Sequence, residues 1–457
     1  MQTSSPPVLE APLAVGERLL RDVAALLPMR RCITGDGLRE TLDWIGDRLP
    51  IERSEVPSGT SVGDWTVPPE WRVRRAYVEL PDGSRLVDWA DSALHLVQYS
   101  TAVDATMPLG EALPHLHTLP DRPTATPYRT AYYRPEWGFC LPGERLRDAR
   151  ATFGDAAPVH VRIDAEHDPD GALSYGECVV RGQVESEVLL SAHVCHPHLA
   201  NDNAAAVAVL TEVGRRLVGG PQRYHTVRLL FAPGTIGAVA WLARSPEAVR
   251  RVRGGLVMAT LGDAGPLVYK RTRRGTLGAP TATDRAAALA LRDLGVPHET
   301  RPFAPVGYDE RQFGAPGLDL DIGRLSRTPW GEYPEYHTSH DDLDRIAPSS
   351  LEGAVRAVLA VLDAFDASAP YRTTVALGEP MLGRHGLYGP AKPSPAKAEG
   401  TPTTPDEHRA LLWALSVADG EHSLLDAAET SGLSVRSLVL AAERARAAGI
   451  LTRATDD

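Results

Sequence analysis

Leu19, Leu20, Val23, Leu26 and Leu27 recur at helical spacing. After a turn at Gly35-Asp36, Leu38, Leu42, Ile45 and Leu49 continue it, which predicts helices across 16–48. From Val56 to Arg145 the pattern gives way to short β-like runs, Arg75–Leu80 and Leu94–Tyr99, in a stretch rich in Pro, Trp and Tyr. Pro81-Asp82-Gly83 marks a turn there. From Val159 onward, apolar runs alternate with amphipathic ones. Strands are predicted at Val188–Ala192, Thr226–Phe231 and Gly255–Leu261, and helices at Ala204–Leu217, Ile236–Ala243 and Glu352–Phe365. That alternation predicts an α/β core with a largely parallel sheet. A Pro-, Gly-, Ala- and Lys-rich stretch, Gly378–Pro405, reads as a linker, and His408–Arg453 as a compact helical unit. The expected division is a core from 1–54 and 147–377, a β-rich insertion at 55–146, a linker at 378–405 and a terminal helical domain at 406–457.

A length of 457 residues suits several domains rather than one core. The net charge of −11 argues against broad affinity for nucleic acid or acidic membrane surfaces. No apolar run is long enough to span a bilayer. Met1–Leu13 lacks the basic start and apolar centre of a secretion signal. Cys32, Cys140, Cys178 and Cys195 are widely spaced and form no CxxC pair, so a reducing, cytoplasmic location is expected.

The chemistry concentrates in two segments. In Leu189-Leu-Ser-Ala-His-Val-Cys-His-Pro-His-Leu-Ala-Asn-Asp-Asn203, a strand ends at His193 and a polar loop leads to Asp202 before a helix. Ligands of open α/β sheets collect at the carboxyl ends of strands, which makes His193 a candidate metal ligand. Asp202 is either a second ligand or the cap of the following helix. His196 and His198 read as loop or supporting residues, and Cys195 as packing beneath the site. The second segment, Tyr333-Pro-Glu-Tyr-His-Thr-Ser-His-Asp-Asp342, supplies His337 among several other donors. A third strand end offers Asp263. Two imidazoles with carboxylates suit zinc, which polarises carbonyls and acidifies water. Lys270, Arg271, Arg273 and Arg274 form a basic run, read as a solvated loop or an anion site. Tyr308, Trp330 and Tyr336 either line a pocket or pack in loops.

At these residues the chain resembles the co-catalytic zinc aminopeptidase superfamily. More closely, it resembles a bacterial aminopeptidase-like family of unknown function, with an inserted β-rich domain and a C-terminal winged-helix domain. The matching stretches include Pro57-Ser-Gly-Thr-Ser-Val-Gly-Asp-Trp-Thr-Val-Pro-Pro-Glu-Trp71, His115–Asp121 and Trp137-Gly-Phe-Cys140. Cys195-His-Pro197, Asn201-Asp-Asn203, Pro233–Gly237, Asp309-Glu-Arg-Gln312 and Tyr336-His-Thr-Ser339 also match. The resemblance implies a phosphorylase/peptidase-like three-layer α/β core with a mostly parallel mixed sheet. It also implies zinc, one ion or two, held by His193, Asp202, Asp263 and His337. His196, Tyr308, Arg311 and Tyr336 are expected to bind substrate.

The superfamily carries a Glu-Glu pair after the second core strand, and the closer family one Glu. Here Pro233-Gly234-Thr235 has no carboxylate. A base must then come from elsewhere, with Glu310 chosen first and Glu335 and Glu332 behind it. The expected activity is zinc-dependent hydrolysis of an amide or peptide-like small molecule. The alternatives are non-hydrolytic amide chemistry in a biosynthetic pathway, or a silent ligand-binding protein. Arg436, Arg444 and Arg446 lie on the second helix of a helix-turn-helix read at 423–448, but acidic neighbours mix the charge. That unit is expected to pack, dimerise or cover the site rather than bind nucleic acid. A homo-oligomer fits, and no membrane partner is expected.

Overall fold

The computed structural model describes residues 14–387 and 405–454. The proposed linker therefore lies largely, and the N-terminal segment 1–13 wholly, outside the described residues. We number the principal elements in chain order. Helices α1 (Val15–Leu26) and α2 (Asp36–Gly46) come first, as the leucine spacing predicts. They are followed by β1 (Glu52–Pro57), β2 (Glu70–Glu79), β3 (Arg85–Asp88), β4 (Val103–Pro108) and β5 (Pro158–Asp168). Next come β6 (Ala172–Val180), β7 (Val184–His193), α3 (Ala205–Val218), β8 (His225–Ala232), α4 (Ile236–Arg244) and β9 (Val252–Met258). The core closes with β10 (Leu267–Lys270), α5 (Ala282–Leu294), β11 (His298–Arg301), α6 (Glu310–Phe313), β12 (Ile322–Ser326) and α7 (Pro348–Asp366).

Eight strands form one mixed sheet in the order β1-β6-β8-β7-β9-β12-β10-β11. Its centre, β8-β7-β9-β12, is parallel, and β1, β6 and β10 meet their inner neighbours antiparallel. From Val188 onward β7 is buried on both faces, and β8 is buried throughout. That is why these strands read as continuous apolar runs rather than alternating ones. A second, antiparallel sheet runs β3-β2-β5-β4. It draws β5 from beyond residue 146, while the start of the 55–146 stretch, through Pro57, pairs in the main sheet as β1. The run Leu94–Tyr99 is no strand. Its first part coils into a 3₁₀ turn at Ala93–His95 after Ser92, whose hydroxyl accepts the Leu94 N–H.

One buried carboxylate joins the two sheets. Glu70, on β2, receives both terminal nitrogens of Arg39 at 2.7 Å, Arg72 Nε at 3.0 Å and the Ala172 N–H at 2.9 Å. Burial alone would raise its pKa, but these partners outweigh it and hold the carboxyl at about 2. Glu70→Gln is expected to destabilise the fold by about 3 kcal/mol, because Arg39 and Arg72 lose their buried charged partner and Arg39 keeps only the longer contacts to Glu55 and Asp36. The stabilisation is present above the ordinary pKa of 4.5 and is lost as pH falls through about 2. Melting curves of wild type and variant should therefore converge as the pH drops across that window.

Helices α8 (Pro405–Ser416), α9 (Leu424–Ser431) and α10 (Val435–Ala447), with the pair β13 (Tyr371–Thr373) and β14 (Leu451–Arg453), make the C-terminal unit. It docks on α5. Arg285 pairs with Asp426 and Glu429 at 2.8 Å, and Arg292 donates to the carbonyls of Ala428 and Leu433. Asp293 accepts the Val435 N–H at 2.7 Å, which places the N-terminus of α10 against the core. In helix-turn-helix proteins that end of the second helix meets the bases. The basic run at 270–274 is dispersed rather than one patch. Lys270 is buried on β10, Arg273 pairs with Asp319, and Arg274 lies 3.5 Å from Asp321.

Candidate metal centre

Three imidazoles converge on one carboxylate at the carboxyl end of β7. His193, the last residue of that strand, places Nε2 3.0 Å from Asp202 Oδ1. His337 places Nε2 3.1 Å from Asp202 Oδ2, and His196 Nε2 lies 3.9 Å from the same oxygen. Asp202 makes no cap to α3, so its carboxylate is free for the imidazoles. It is fully buried. Burial opposes its ionisation, but His196, His193 and His337 outweigh that and keep the carboxyl well below the usual range. Burial drives His196 the other way, well below the usual histidine pKa and so to the neutral form that ligates metals.

The loop is held from behind by Asp341. Its two oxygens accept the N–H groups of Asn201 at 2.6 Å and Asp202 at 3.0 Å, and the Tyr333 hydroxyl approaches at 3.3 Å. Asn203 fixes the His193 ring. Its side-chain oxygen accepts the Thr260 N–H and its NH₂ donates to the carbonyls of His193 and Met258, with His193 Nδ1 3.2 Å away. The 126–128 stretch closes one side. The Tyr128 N–H donates to the His337 carbonyl at 2.8 Å, and its ring meets those of His337 and His196 at 4.9 and 5.1 Å.

Above the cluster lies a cavity of about 580 Å³. His193, His196, His337, Tyr308, Arg311 and Tyr336 all line it, as does Trp330. So do Trp65, Tyr128, Tyr132 and Tyr133, which the sequence reading did not single out. Among the described residues, none of the C-terminal unit lines it. Cys195 does line it. Its sulfur accepts the Gly234 N–H and sits 3.3 Å from His196 Nδ1.

Four candidate site residues lie elsewhere. Asp263 is consumed by its own loop: it accepts from Asn201 Nδ2, the N–H groups of Gly265 and Thr328, and the Thr328 hydroxyl. Glu310 is fully buried against Lys270 Nζ at 2.8 Å, with Arg324 at 3.8 Å. That pairing leaves it no path to the cavity. Glu335 pairs with Arg345 at 2.8 Å, and Glu332 with Arg301. The carboxylate that does line the cavity is Asp309, one residue before Glu310. It accepts the Thr235 N–H at 2.7 Å, and burial raises its pKa to about 6. Thr235 holds a left-handed backbone, φ 62°, to present that N–H.

Comparison with known proteins agrees with this architecture. The family described as a domain of unknown function, DUF4910, matches residues 21–368, and a winged helix-turn-helix family matches 369–453. A Clostridium acetobutylicum protein, provisionally named a polysaccharide biosynthesis protein with aminopeptidase-like domain, is 36% identical over 428 residues, 94% of each chain. A crystal structure of a provisionally named peptidase from the same organism superposes with a TM-score of 0.85 at 35% identity, covering 96% of each chain. The Bacillus subtilis zinc aminopeptidase BSAP shares the fold, with a TM-score of 0.55 at 12% identity over 77% of this chain and 95% of its own. The protein is thus an α/β chain of zinc-aminopeptidase-like fold carrying a winged-helix unit. It belongs to the DUF4910 family.

Proposed function

We propose that the protein is a zinc-dependent hydrolase of an amide or peptide-like small molecule. The observation that carries this is the fully buried Asp202 carboxylate with the Nε2 atoms of His193 and His337 at 3.0 and 3.1 Å. Nitrogen and carboxylate donors fit zinc. His193, Asp202 and His337 would hold the ion, with His196 next to them as a fourth donor. When bound, zinc supplies Lewis acidity here, which polarises a carbonyl and makes water a better nucleophile at neutral pH.

Asp309 replaces Glu310 as the proposed base. It is the carboxylate on the cavity wall, and Thr235 N–H leaves its other oxygen available to take a proton. Tyr308 stacks on His193 at 5.1 Å and fixes that ring. Asp309→Asn should lower turnover of a cleaved amide by about 10²–10⁴-fold. Zinc content should stay at the wild-type level, measured on the same samples. Loss of zinc in that variant would make Asp309 a ligand instead.

The Gly234–Thr235 turn, which brings no carboxylate to the cavity, favours a second reading: amide chemistry without net hydrolysis, within a biosynthetic pathway. The relative's provisional name supports such a setting. The two readings part on whether ¹⁸O from labelled water enters the product. Four buried, unpaired cysteines support the cytoplasmic placement, and no helix among the described residues is long and apolar enough to cross a membrane.

A further inference from the structure

The cavity wall beside His193 carries more cations than anions. Lys270, Arg311 and Arg324 gather behind and beside the loop 306–311, and only Asp309 and Glu310 offset them. Lys270 and Arg324 are buried, and Arg324 Nε has no hydrogen-bond partner. Arg324 and Glu310 both lie directly under the wall: Arg324 Nη1 is 2.8 Å and Glu310 Oε1 2.6 Å from where a Cβ on Gly307 would sit, and Gly307 lines the cavity. Arg311 is the cation on the surface of that wall. Its Nε donates to the Tyr308 carbonyl at 3.2 Å, and among the described residues no carboxylate pairs with its terminal nitrogens. The Tyr308 hydroxyl on the same turn is buried, with the Tyr336 hydroxyl as its neighbour. Beside it, the turn after β8 brings Gly234 and Thr235 but no acid, its Thr235 N–H meeting Asp309, and Asp309 is the one carboxylate among the described lining residues. The wall is therefore poor in partners for a free amino group and rich in donors for an anion.

Resting on the hydrolase reading above, the geometry points to a substrate that is an acidic amide with a blocked nitrogen: an N-acyl compound whose carboxylate or phosphate is bound by Arg311. A guanidinium presents two parallel N–H groups to either acid. Its strength is greatest where water is limited and its charge is not already paired, as here. The acyl group faces the aromatic mouth, where Trp65, Tyr133 and Trp330 are among the exposed large side chains.

The test is titration calorimetry on the zinc-loaded full chain. The probes are N-benzoylglycine, its neutral carboxamide, and N-benzoyl-O-phosphoethanolamine. One acid should bind at least about tenfold more tightly than the carboxamide, as a charge-assisted pair would give. Whether that acid is the carboxylate or the phosphate identifies the group recognised. Arg311→Gln should abolish the preference, Arg311→Lys should keep part of it, and Tyr308→Phe should lower it severalfold. Zinc content and melting temperature, measured alongside, should not move. Equal binding of acid and carboxamide, a preference that survives in Arg311→Gln, or no binding of any probe at millimolar concentration overturns this inference alone. Failure to take up zinc overturns the hydrolase reading instead.

Discussion

Asp202→Asn is expected to abolish zinc binding and reduce turnover by about 10³-fold or more, with the chain still folded. The variant keeps the volume and the backbone N–H that Asp341 accepts, so the loop has no steric reason to move. It removes the single negative charge around which His193, His196 and His337 are arranged. A neutral amide can present an N–H to one imidazole, but it cannot offset the charge of a divalent cation in a buried site. Lewis acidity accounts for several kcal/mol of barrier lowering, and each 1.36 kcal/mol is about tenfold in rate. Metal analysis, a melting curve and turnover on one preparation check this together.

The second large effect is on stability and falls on a residue outside the cluster. Asp341→Ala should cost about 3 kcal/mol and weaken zinc binding at the same time. Both carboxylate oxygens of Asp341 accept buried backbone N–H groups, and truncation leaves the Asn201 and Asp202 donors without partners. Those two donors position Asp202, so its loop loses its anchor. Asp341→Asn offers one oxygen and should fall between. Denaturant midpoints and zinc titrations should rank the three proteins in the same order. If Asp341→Ala melts like wild type, Asp341 is not the anchor of this loop.

The core was legible because its period is simple. Buried strands such as β7 and β8 are mostly apolar, with Arg228 and Glu187 paired to each other, and helices such as α3 and α7 keep an apolar face, so the main alternation appears in the residues themselves. Half the site was legible too, since His193 ends a strand and Asp202 follows in a loop too polar to be core. What pattern could not supply was direction. Asp309 and Glu310 are neighbours, yet one faces the cavity and the other a buried lysine, because successive residues of a tight turn diverge. Asp263 stands at a strand end, where a ligand belongs, but its oxygens are spent on Asn201, Gly265 and Thr328. Asp341 was one acid among several in its segment, and only the fold shows it receiving two N–H groups. The aromatic mouth drew on Trp65 and Tyr133, residues far from 193–203 in sequence, the first on a short hairpin at 61–66 and the second on a turn. The rings of Trp65 and Tyr133 meet at 6.1 Å.

The most direct test is metal content. Elemental mass spectrometry on purified wild type, His193→Ala and His337→Ala should find one or two zinc ions per wild-type chain and none in either variant. Absence of metal from wild type after zinc is supplied, or full retention in both variants, would contradict a metal centre at Asp202.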